Sequence, residues 1–301
     1  MIRTQRLNVG PLQAWLVEQQ RTTKVGTYHL RVWREEVTRR NTVRGALVAY
    51  FQEALEDARR RLRSGFEDAL SPFTDPALDP AANYPQMLNR TTLQGYLGET
   101  FAALAVEHWN IHDRDDWRVP ALLFRFHEVE FQHLERINQR LRAGDAHDPD
   151  AVGERRPGRT GDDAIAFVKN GSNVITHVLT FEAKCLSSHH TQKLTEAHGK
   201  LNSGPSVPDS IRELIELLNY YDSNEAQQWQ ESLIKYRASR GGRVTRYDAV
   251  VYVCGQRPRA NGRTSWMSPT SANAAYTLDR ELAGLEYHVE DLDGLVDTLY
   301  R

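Results

Sequence analysis

Apolar and polar positions recur along this chain with two periods, one of two residues and one of three to four. Between Gly161 and Lys184 the sequence GDDAIAFVKNGSNVITHVLTFEAK carries two runs rich in Val, Ile, Phe and Thr on either side of Asn170-Gly171. That pattern predicts an antiparallel strand pair, Ala164 to Val168 and Val174 to Lys184. In the second run both alternating sets are mostly apolar (Val174 and Val178; Ile175, Leu179 and Phe181), as in a central strand covered on both faces. Tyr247 to Cys254 is a further buried strand. Helical spacing appears at Arg44 to Leu70, at Thr92 to Trp109, at Lys193 to Leu201 and at Asp209 to Tyr220, the last capped by Asp209. Trp117 to Leu141 reads as a strand near Leu122 to Phe126 followed by a helix, and Glu286 to Leu299 as a final strand and helix. Together these elements predict an α/β (α+β) fold, a mixed central sheet flanked by helices. Ser71 to Pro85 is punctuated by proline, so an N-terminal helical accessory region over residues 1–85 and a second domain over 86–301 are expected.

Strand parity then sorts the acids. Glu182 and Lys184 share a face, with Ala183 opposite. If the loop has an even number of residues, Asp163 falls on the face of Glu182 and Lys184, and Asp162 on the other. A tight two-residue turn would leave Asp163 opposite Val178, too far from Glu182 to share a cation. A longer loop through Asn170 to Asn173, or a bulge, is therefore expected. Two carboxylates at neighbouring strand ends suit Mg²⁺ or Mn²⁺, which take hard oxygen ligands together with waters and a substrate phosphate. A neighbouring lysine can offset charge that builds on the phosphate. Such a group has the equipment for phosphodiester hydrolysis.

The segment resembles the active-site hairpin of the PD-(D/E)XK nuclease superfamily, and the likeness runs from Thr92 to about Val253. The resemblance implies a restriction-endonuclease-like core, with Asp163 as the first acid, Glu182 as the second, Lys184 as the lysine and Ala183 lending its main-chain carbonyl to the metal. The usual proline before the first acid is absent; Asp162 stands there. Many members carry a glutamate on a preceding helix. Here Glu99 borders the stripe Tyr96, Leu97, Phe101, Leu104, Ala105 and Trp109, with small neighbours Gly95, Ala102 and Ala103. The resemblance makes Glu99 a further catalytic and metal-binding carboxylate. Some relatives place a substrate-contacting residue after the lysine, where His189, His190 and Gln192 stand. Similarity of the GYLGE, GDDAI and EAK segments to nuclease subunits of anti-phage systems implies a bacterial defence or restriction role, with a helicase or ATPase subunit as partner. A second copy of the chain is another candidate partner. A non-catalytic nucleic-acid-binding or structural module of the same fold, and an RNA or repair nuclease, remain as alternative readings.

Composition changes this picture in two places. Net charge is −2, which does not mark a nucleic-acid binder, yet basic residues cluster locally. Arg155, Arg156 and Arg159 lead into the first acid; Lys235, Arg237, Arg240, Arg243 and Arg246 precede the strand at Tyr247. Arg155, Arg156, Arg159, Arg237, Arg240 and Arg243 are thus candidate contacts to the phosphates of DNA. Two cysteines and the lack of a run of about 18 apolar residues point to the cytoplasm and to no membrane partner. The eleven histidines form no HExxH, and neither a Gly-x-Ser-x-Gly elbow nor a complete phosphate-binding glycine loop is present.

Overall fold

The computed structural model describes residues 7–66, 79–122, 128–151, 163–204, 207–208, 210–259 and 262–300. In chain order the helices are α1 (Val9–Trp15), α2 (Arg40–Phe66), α3 (Arg90–His108), α4 (Glu128–Arg142), α5 (Thr191–Lys200), α6 (Ser210–Leu218), α7 (Asn224–Ala238) and α8 (Leu292–Tyr300). The strands are β1 (Leu16–Arg21), β2 (Tyr28–Glu35), β3 (Ala164–Lys169), β4 (Ile175–Leu186), β5 (Thr245–Cys254) and β6 (Glu281–His288). They form one mixed sheet in the order β1-β2-β6-β5-β4-β3. The β1/β2 and β3/β4 pairs are antiparallel, and the three central pairings are parallel.

Alternation along β4 assigns the two faces. Leu179, Phe181 and Cys185 join the large core beneath α2, α3 and α8, whereas Val178 packs with α6 and α7 on the other face. The α5 residues Leu194 and Ala197 cover Tyr252 and Leu30 on that second face. Helices therefore cover both sides of the sheet, as the apolar character of both sets in β4 predicts. The helix α3 is capped by Asn89, whose Oδ1 accepts from Thr92 N at 2.9 Å. It is buried from Tyr96 continuously through Val106, because α8 lies on it as well as the sheet. An all-round apolar helix of this kind belongs in a core.

The boundary expected at residue 85 is crossed by the sheet itself. Strand β2 pairs in parallel with β6 from Tyr28↔Leu282 to Arg34↔His288, and a single core cluster runs from Leu7 to Tyr300. The stretch 1–85 is thus no separate helical region: it supplies two strands, and their apolar residues need β6 and α3 to be buried. The helix expected from Arg44 to Leu70 is α2. Of the strand expected near Leu122 to Phe126 only Leu122 is described, buried and in no strand; 123–126 and the cap at Asp209 lie outside the described residues.

Candidate active site

The hairpin solves the register problem with a loop and a bulge together. Asn170 N donates to Val174 O at 2.9 Å, and the Asn170 side chain accepts from Ser172 N and Val174 N, so the turn takes five residues instead of two. Asn173 adopts the left-handed conformation (φ 58°) that this loop requires and that asparagine tolerates better than most residues. Pairing then shifts by one residue between Val168↔His177 and Lys169↔Ile175. Beyond the bulge the register is Ala164↔Phe181, which continues to Asp163 opposite Glu182. Asp163 N donates to Phe181 O at 3.2 Å, and Ala183 N donates to Asp163 Oδ2 at 2.7 Å. The backbone of β4 thus fixes the carboxylate of Asp163 beside that of Glu182.

Two lysines converge on this pair. Lys184 Nζ contacts Glu182 Oε1 and lies 3.3 Å from Ala183 O. Lys200, the last residue of α5, brings Nζ to 2.6 Å from Glu182 Oε2 and 3.6 Å from Asp163 Oδ1. Its ammonium therefore sits between the two carboxylates. The apolar positions Leu194 and Ala197 set the rotation of α5 against the sheet, and Lys200, one turn after Ala197, shares their face. The sequence reading passed over Lys200. Its signal was that helical phase, together with the preference for cations at a helix C-terminus.

Burial and the neighbouring Asp163 charge push Glu182 up to about 7, against the pull of Lys184 and Lys200. Because burial is the first cause, a further cation brought to Glu182 would favour its ionised form. Two hard carboxylates and the Ala183 carbonyl make a donor set that suits Mg²⁺ or Mn²⁺, ions that keep several waters and need few protein ligands. The position of the Lys200 ammonium marks where that set attracts a cation. Among the described residues, no cluster of three or more His, Cys, Asp and Glu side chains is placed to hold a metal, so the donor set rests on the acid pair and the main chain.

Glu99 is buried on α3, next to Gly98, and its charge helps to raise the Tyr300 phenol. A Cβ built on Gly98 would stand 3.3 Å from Cys185 Cβ and 3.4 Å from Ala183 Cβ, so α3 lies against the face of β4 opposite to Glu182 and Lys184. The structure thus brings together Asp163, Glu182, Lys184 and Lys200, with Glu99 across the strand from them.

His189 lies above the next strand. Its Nδ1 is 2.9 Å from the Tyr252 hydroxyl, Nε2 is 3.1 Å from Thr191 Oγ1, and the ring stacks on Trp266 at 3.8 Å. His190 precedes α5 and donates its main-chain N–H to the Tyr252 hydroxyl; Gln192 is exposed. Arg237 lies in the last turn of α7, and Arg240 and Arg243 follow in the exposed turn before β5; none of the three pairs with a carboxylate among the described residues. Thr245 pairs with His177, five residues before Glu182, so this turn lies roughly 16 Å along β4 from the acids. Arg155, Arg156, Arg159 and Asp162 lie outside the described residues.

Comparison with known proteins adds no relative: no family model matches the chain, and no curated protein matches it significantly. No helix among the described residues is long and apolar enough to cross a membrane.

Proposed function

We propose that the chain is a Mg²⁺- or Mn²⁺-dependent endonuclease that hydrolyses DNA. The observation that carries this reading is the Asp163–Glu182 pair, set side by side by the bulged hairpin with two lysines converging on it. In this reading Asp163, Glu182 and the Ala183 carbonyl hold the cation, which supplies Lewis-acid polarisation of the phosphoryl group. Lys184, anchored by Glu182, offers its ammonium to the charge that develops on the phosphate. Lys200 neutralises the acid pair until the cation enters and can then turn to substrate. The main-chain hydrogen bond from Ala183 keeps Asp163 oriented throughout. A bacterial defence setting and a helicase or ATPase partner belong to the same proposal and rest on the sequence likeness alone. The direct test is conversion of supercoiled plasmid to nicked or linear DNA in Mg²⁺ or Mn²⁺; plasmid left intact in both ions would overturn the assignment.

The shift on Glu182 gives the site a pH dependence. Because the folded-state value lies above the ordinary 4.5, folding favours the protonated acid. That stabilising contribution is complete below about 4.5 and is lost as pH rises through about 7. Cation binding runs the other way, since it needs the carboxylate. Mg²⁺ affinity measured by calorimetry is expected to rise about tenfold between pH 6 and pH 8, and Glu182→Gln removes that rise. An affinity flat across this range in the unaltered chain would contradict the assigned ligand.

The exposed arginines give a second measurable quantity. Each neutralised phosphate contributes close to one unit of slope in log affinity against log salt. Arg240→Ala with Arg243→Ala should weaken binding to all sequences alike and flatten that slope by roughly 2. Anisotropy titrations at several salt concentrations, in an Asp163→Asn background that spares the DNA, check this. An unchanged slope would remove this turn from the DNA path.

A further inference from the structure

We propose that the pocket between β2, α5 and the 263–273 segment receives one nucleotide of the strand being cut, its base inside and its phosphate at the rim. This rests on the nuclease reading and names a substrate subsite for it. The pocket has a volume of about 420 Å³, within the range of small-ligand sites, and is walled by Tyr28, His189, Leu194, His198, Arg263 and Trp266.

Its position follows from the sheet. Lys184, Tyr252 and Glu286 stand in register on three adjacent parallel strands and on one face. Tyr252 holds His189 through its hydroxyl. The fully buried Glu286 accepts from Trp266 N at 2.8 Å, Met267 N at 2.9 Å and His288 Nε2 at 2.6 Å, which pins the far wall to β6. Gly284 lets this wall close down: a Cβ there would stand 2.8 Å from the Tyr28 hydroxyl and 3.0 Å from Met267 Sδ. Two strand spacings, roughly 10 Å, separate Lys184 from the strand that carries this wall. A nucleic-acid strand rising ~3.4 Å per nucleotide covers that in about three steps.

The chemistry of the walls selects the ligand. The imidazole of His189 and the indole of Trp266 stack within 3° of parallel, a flat surface of the kind on which bases stack. Burial holds His198 towards its neutral form, and its Nδ1, 2.8 Å from Leu194 O, donates there, so Nε2 is left as an acceptor for a base amino group. Among the described residues no carboxylate lines the pocket, and Glu286 behind the wall is occupied by three donors. Arg263 is fixed at the rim by the carbonyls of Ser265 (2.9 Å) and Trp266 (3.1 Å), and it pairs with no carboxylate among the described residues. A guanidinium held in place without a carboxylate partner among the described residues, lining the same pocket as Thr191, the N-terminal residue of α5, is suited to a phosphate. A planar wall, a neutral polar interior and a fixed cation at the mouth match a nucleotide better than a peptide or a lipid.

The test uses the full chain carrying Asp163→Asn, so that substrate survives, and a fluorescein-labelled single-stranded 15-mer read by anisotropy. Ser271, exposed on the pocket lining, has a hydroxyl that among the described residues meets only Ser268 Oγ at 3.3 Å; Ser271→Trp fills the mouth and Ser271→Ala leaves it open. Ser271→Trp and Arg263→Ala should each weaken binding roughly tenfold, the scale of one stacked base, while Ser271→Ala binds like its parent. Equal affinity in all four proteins would overturn the proposal. Binding of a free nucleoside monophosphate that the 15-mer fails to displace would overturn it as well, by assigning the pocket to a separate small molecule. If the parent binds neither single-stranded nor duplex DNA and the unaltered chain cuts no plasmid, the nuclease reading itself falls.

Discussion

Asp163→Asn and Glu182→Gln should each lower Mg²⁺-dependent plasmid nicking by at least ~10²-fold, the upper limit of what loss of mere support around a metal site costs. The expectation follows from the geometry. Asp163 is fixed by the Ala183 N–H and faces Glu182 across the bulged ladder, so neither acid has a neighbour that can replace it. Asparagine keeps an oxygen that can accept the Ala183 N–H, and glutamine occupies the same volume as the glutamate. Far-ultraviolet circular dichroism should therefore be unchanged, and a fall in rate reports chemistry instead of folding. Asp162→Asn is the companion control, since the parity of the sequence assigns Asp163 and not Asp162 to the face of Glu182. Full nicking by either folded variant would remove the acid pair from the reaction.

Lys184→Ala should cut the maximal rate by ~10² to 10³-fold and leave DNA affinity within about twofold, because its contribution is to charge present only at the transition state. The alanine variant also loses a cation that holds Glu182 down, so the residual activity should require a more alkaline pH than that of the unaltered chain. Single-turnover rates at saturating DNA, collected across pH and set beside anisotropy affinities, separate the two effects. A parallel fall in rate and affinity would make Lys184 a ground-state phosphate contact instead.

The acid pair was legible in the sequence because it depends on local rules. Period-two alternation, the Asn170-Gly171 signal and the parity of Asp163 against Glu182 need no distant part of the chain, and the expected longer loop and bulge are both there. Strands β1 and β2 were not legible. LVEQQR and YHLRVWRE carry charges that look solvated, yet Arg31 and Glu35 are buried because each finds a partner: Glu18 for the arginine, and Arg40 with Trp15 Nε1 for the glutamate. Partners 5, 13 and 20 positions away removed the cost that periodicity alone would assign. The helix α7 has its buried positions Ala226, Trp229, Leu233 and Tyr236 at helical spacing, but its cations drew the reading towards charge. The helical phase of α5 puts Lys200 on the face of Leu194 and Ala197, but that this face meets the acids depends on α5 folding back over β4, which no local rule gives.

The pairing of β2 with β6 joins residues about 250 positions apart, and it sets the order in which the molecule can assemble. During synthesis the β1/β2 hairpin emerges early, but a lone two-stranded ribbon is at best marginally stable in water. It must wait for β6, while the acid-bearing β3/β4 hairpin and β5 can already pair beside one another. Closing so long a loop is slow, as expected where non-local contacts dominate. The edge of β6 that receives β2 is the last to be covered, and in the interval it offers unpaired main-chain groups to any other strand. This topology favours completing the site-bearing half first and sealing its opposite edge last, so a stalled chain would be expected to aggregate through β6.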